Sequence, residues 1–100
     1  MIRPNFTGAR LDGDKVRVDG KSDENVVPLI VDIRVVLVQQ GSKADGSAQI
    51  TPGPVDKVTS VWHAELPSEG FVAGRAVAFG TETRSENFTT VTWAQELNIE

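Results

Sequence analysis

The chain predicts an all-β domain, and three observations carry that expectation. Val31 to Val38, Val58 to Leu66 and Phe88 to Ile99 keep a two-residue apolar rhythm built from β-branched and aromatic residues, the period of a strand that buries one face. Polar runs of glycine, proline, aspartate and asparagine separate these stretches, and such residues supply turns. At 100 residues, with 39% hydrophobic and 24% charged, the chain can close one core and not two. Residues 1–100 therefore read as a single domain.

In chain order, Asn5 to Leu11 is expected as a short edge strand ending in Asp12-Gly13-Asp14, whose Asp-Gly pair favours a hairpin. Lys15 to Asp19 returns, with Val16 and Val18 inward and Lys15, Arg17 and Asp19 in water. Residues 20–25 form a polar loop, and Pro28 stands near the start of the next run, where a missing donor harms a ladder least. Leu29 to Gln40 is the strongest strand, with Val31, Ile33, Val35 and Leu37 on one face. Its other face begins with Asp32 and Arg34 but ends with Val36 and Val38, so that end is apolar on both sides and requires a cover.

Gly41 to Asp56 reads as a long loop or weak edge strand with a sharp turn at Pro52-Gly53-Pro54. Val58, Ser60, Trp62, Ala64 and Leu66 form the buried face of the next strand, with Thr59, Val61, His63 and Glu65 opposite. Pro67 to Gly70 turns the chain. Phe71 to Phe79 is expected as a strand with Phe71, Ala73, Val77 and Phe79 in register, followed by a polar turn over Thr81 to Asn87 and a last strand. Trp62 to Leu66 and Trp93 to Leu97 share Trp-x-x-Glu-Leu, which reads as two similarly used core strands.

About seven short strands in one such domain match an immunoglobulin-like antiparallel β-sandwich. The likeness is to the wider class that includes fibronectin type III domains. The chain has no cysteine and no tyrosine, so the disulfide and tyrosine corner of antibody domains are missing. A small Greek-key β-barrel is the alternative.

Several function classes lose support on composition. A net charge of −4 removes the broad attraction to phosphate on which non-specific nucleic-acid binding rests, so no nucleic-acid or membrane partner is expected. The absence of cysteine excludes thiolate nucleophiles and cysteine-held metals. The segment from Ile2 to Phe6 lacks the apolar core of a secretory signal, and no stretch approaches a membrane span. The compartment is left unknown.

Candidate sites are few. His63, the single histidine, is the first place to seek acid–base chemistry, but no Gly-x-Ser-x-Gly elbow accompanies it, and a surface histidine accounts for it. Asp12, Asp14, Asp19, Asp23 and Glu24 could offer calcium oxygen ligands, yet Gly13 stands where an EF-hand needs a ligand. Turn formation explains them instead. Trp62 and Trp93 are a sugar-stacking platform if exposed and core anchors if buried; their apolar neighbours favour the core. Asn5-Phe6-Thr7 and Asn87-Phe88-Thr89 fit the N-glycosylation rule but read as strand-initiating asparagines followed by core phenylalanines. These observations point to a non-enzymatic module without catalytic residues, cofactor or metal. It would act through a protein partner or self-association at Val36 and Val38. The alternative is a carbohydrate- or calcium-binding module using Trp62, His63 and Trp93 or the acidic turns.

Overall fold

Alternation of inward and outward residues organises most of the described strands. The computed structural model describes residues 4–22, 29–50 and 61–100. These form β1 (Asn5–Asp12), β2 (Lys15–Lys21), β3 (Ile30–Gln39), β4 (Ser42–Ser47), β5 (Gln49–Ile50), β6 (Val61–Pro67), β7 (Gly74–Arg84) and β8 (Thr90–Ile99). They join in one mixed sheet of order β4-β3-β7-β8-β1-β2-β6-β5. It is nearly closed into a barrel, and the barrel alternative fits this arrangement. Pro52 to Pro54, Pro28, Val58 to Ser60, Asp23 and Glu24 lie outside the described residues.

Closure comes from the segment after β3. β4 pairs with β3, the Ala48 amide still donates to the Ile33 carbonyl at 2.7 Å, and then Gln49 pairs with His63 of β6. One extended run thus crosses from one sheet edge to the other, the bend that turns a corner between sheets. Of the two readings for this stretch, the described part is a strand. Small inward residues allow it: a Cβ on Gly46 would meet Leu66 Cδ2 at 2.7 Å.

The core takes one side of each strand: Phe6 and Ala9, Val16 and Val18, Ile33, Val35 and Leu37, Trp62, Ala64 and Leu66, Ala76 and Ala78, and Ile99. At its centre Phe6 touches Trp62 and Trp93, with ring centroids 5.6 and 5.3 Å away, and the two indoles lie 6.2 Å apart. Each tryptophan covers the glycine directly opposite on the next strand, Trp62 over Gly20 and Trp93 over Gly80. A Cβ at either glycine would fall inside the indole. The two Trp-x-x-Glu-Leu runs therefore do the same job, with Glu65 and Glu96 outward.

Several expectations are corrected. β1 is interior to the sheet, between β2 and β8, because β8 joins it in parallel at Ala9 and Ile99. The first hairpin turns on Gly13-Asp14, one residue later than expected, with Gly13 at φ 62°. Glycine with positive φ in the first central position is the type II′ arrangement that suits strand twist. The strand after residue 70 begins at Gly74, and it runs through Thr81 to Arg84, where a turn was expected. Its faces are also exchanged: Ala76, Ala78 and Gly80 point inward, and Val77 and Phe79 outward. The Trp93 ring fills the space that larger β7 side chains would have taken. Phe88 is 78% exposed in the 3-10 turn Glu86–Phe88 and is no core residue, whereas Phe6 is.

Candidate interaction surface

β3 positions Val36 and Val38 on the outer face by strict alternation with Val35, Leu37 and the buried Gln39. Upstream, a register shift between Ile30 and Asp32 leaves Val31 58% exposed, so it does not share the inner face with Ile33. Across the ladder, Val36 lies opposite Phe79 and Val38 opposite Val77. Phe79 in turn lies opposite Ala94 of β8. Val36, Val38 and Val77 are half-buried by one another, and Phe79 remains 45% exposed. These residues form a contiguous apolar cluster on the water side of the sheet.

Charge surrounds the cluster. Arg34 and Asp45 pair at 2.9 Å on one corner, and Arg75 and Glu96 at 3.6 Å on the opposite corner. All four side chains are at least half exposed, so these pairs contribute little to stability. Beside Phe79 a shallow depression of about 450 Å³ is lined by Phe79, Gly80, Thr81, Thr92, Trp93 and Ala94. Phe79 and Val77 were missed as surface residues because the apolar register of Phe71 to Phe79 pointed inward. The signal that could have found them is the run of small residues Ala76, Ala78 and Gly80 on the alternate positions.

The remaining sequence candidates lie elsewhere. Trp62 is fully buried, and its Nε1 donates to Ser22 Oγ at 2.9 Å. Ser22 Oγ donates to Glu82 Oε1 at 2.7 Å, and Arg84 grips Glu82 Oε2 through Nε and Nη2 at 2.9 and 2.8 Å. This closed polar chain satisfies a carboxylate with no exposure. A charge buried among bonded partners is held, not offered. Trp93 is half-buried against the core. His63 is half-buried on the outer side of β6, with Asp19 and Gln49 opposite it, in a polar recess of about 230 Å³ shared with Ser47, Gln49 and Glu65. It is on the other side of the molecule's strand order from Val36 and Val38.

Asp12 and Asp14 are exposed at the hairpin, while Asp19 pairs with Arg17 at 3.0 Å. Among the described residues no three acidic, histidine or cysteine side chains converge on a point. A groove of about 420 Å³ follows the seam where β1 and β8 splay. There the Gln95 carboxamide bridges the gap, accepting from the Phe6 amide at 3.0 Å and donating to the Phe6 carbonyl at 2.8 Å. No protein-family model matches the chain, and no curated protein matches it.

Proposed function

We propose that this chain is a non-enzymatic, immunoglobulin-like β-sandwich module that works through protein–protein contact on the outer face of β4, β3, β7 and β8. The strand order supports the sandwich reading. β1-β2-β6-β5 follows the A, B, E, D order of one immunoglobulin sheet, and β4-β3-β7-β8 follows C′, C, F, G of the other. β1 then belongs to both sheets, which is why the order runs on without a break.

The observation that carries the contact reading is the asymmetry between the two outer faces. On β2 the outward residues are Lys15, Arg17, Asp19 and Lys21, and β6 beside it shows Val61 singly among Lys21, His63 and Glu65, whereas β3 and β7 present Val36, Val38, Val77 and Phe79 side by side. Exposed apolar area of this kind forgoes roughly 25 cal/mol per Å² that a partner would recover. The alternative, a carbohydrate or calcium module, has less support: a stacking platform needs exposed rings, and Trp62 has none of its surface in water.

A photo-reactive phenylalanine derivative in place of Phe79, with the same derivative in place of Glu65 as control, tests the reading in cells that produce the protein. A discrete adduct from position 79 and none from position 65 is the expected result. No adduct at 79, or equal labelling at both positions, would overturn it.

A further inference from the structure

The register across the outer face gives it a self-complementary pattern. Val38 stands opposite Lys43 on one side and Val77 on the other, and Val77 stands opposite Glu96. One row across β4, β3, β7 and β8 therefore reads Lys43, Val38, Val77, Glu96: positive, apolar, apolar, negative. The row beside it reads Asp45, Val36, Phe79, Ala94.

From this pattern we infer that the face binds a second copy of the chain about a two-fold axis parallel to the strands, midway between β3 and β7. The inference rests on the reading of this face as a contact surface and names its occupant. An isologous interface requires a patch to complement itself. Under this axis Lys43 faces the partner's Glu96 twice over, Val38 faces the partner's Val77, and Val36 faces the partner's Phe79.

The charges fit that exchange. Lys43 forms no ion pair among the described residues, while Glu96 is held only by the long, exposed contact to Arg75. Asp45, which would face the partner's Ala94, already has Arg34 as its partner at 2.9 Å. A two-fold axis perpendicular to the strands fits less well. It would set Lys43 against an Asp45 that Arg34 already engages and leave Glu96 facing Ala94, without a cation.

Four strands at about 4.8 Å and three rows at about 6.8 Å, the third row being Ser47, Arg34, Thr81 and Thr92, give a patch of about 400 Å² per copy. The pair would bury on the order of 800 Å², below the roughly 1,200–2,000 Å² of stable complexes. The association is therefore weak and reversible.

Sedimentation equilibrium from micromolar to millimolar concentration is the test, with thermal melts to establish that each variant is folded. Wild type is expected to show a reversible monomer–dimer equilibrium. Lys43→Glu and Glu96→Lys, both on exposed positions, should each weaken it roughly tenfold by setting like charges together. An equimolar mixture of the two, or the double variant K43E/E96K, should regain wild-type association. A wild type monomeric throughout would overturn the second copy as occupant; an adduct of another mass at position 79 would still leave the contact reading standing. A dimer that ignores the single substitutions, or that the double variant does not restore, would overturn the axis.

Discussion

Trp62 and Trp93 head identical Trp-x-x-Glu-Leu runs, yet their indole nitrogens end differently. Trp62 Nε1 begins the chain through Ser22 to Glu82, whereas Trp93 Nε1 is buried with no hydrogen-bond partner among the described residues. Trp62→Ala is expected to cost about 3–5 kcal/mol in denaturant melts, the usual range for truncating a buried tryptophan. An unchanged midpoint would show that its packing is dispensable. Glu82→Ala should cost about 3–5 kcal/mol by the same measurement, because it strands the guanidinium of Arg84, whose side chain is only 14% exposed. The core role of Trp62 was legible from Ala64 and Leu66 on its face. Glu82 was not. A carboxylate is buried only where its partners are, and Ser22 lies 60 residues away in the chain.

At the scale of elements, strands with strong alternation were readable and those shaped by their neighbours were not. β2 and β6 follow their apolar rhythm residue for residue. β4, Ser-Lys-Ala-Asp-Gly-Ser, has little strand propensity of its own, and it forms because the edge of β3 offers it a ladder and its small inward residues clear Leu66. β7 misled because periodicity locates two faces without saying which is inside; Trp93, from the next strand, decided that. The seam between β1 and β8 has no sequence signature at all, since a side chain does the work of a strand there. Gln95→Leu removes both bonds to Phe6 and should lower stability by about 1–3 kcal/mol. It should also speed hydrogen exchange at the Phe6 amide; unaltered exchange there would mean that the bridge holds nothing.

For the molecule as a whole, the all-β class and the single core follow from alternation and length, while the strand order depends on long-range pairings that no local pattern contains. The doubly apolar end of β3 was legible, and its meaning emerged only when β7 placed Val77 and Phe79 beside it. The central claim is that Val36 and Val38 belong to a face turned away from the molecule's own core, one peptide bond from residues that belong inside. Equilibrium unfolding in dilute solution tests it most directly, by comparing Val35→Thr with the double variant V36T/V38T, all of which keep β-branching. Val35→Thr is expected to lose roughly 1–3 kcal/mol by burying a hydroxyl. The outer double variant is expected to stay within about 1 kcal/mol of wild type, as surface substitutions do. A double variant that falls as far as Val35→Thr would contradict the claim, because Val36 and Val38 would then be core residues with no surface to offer.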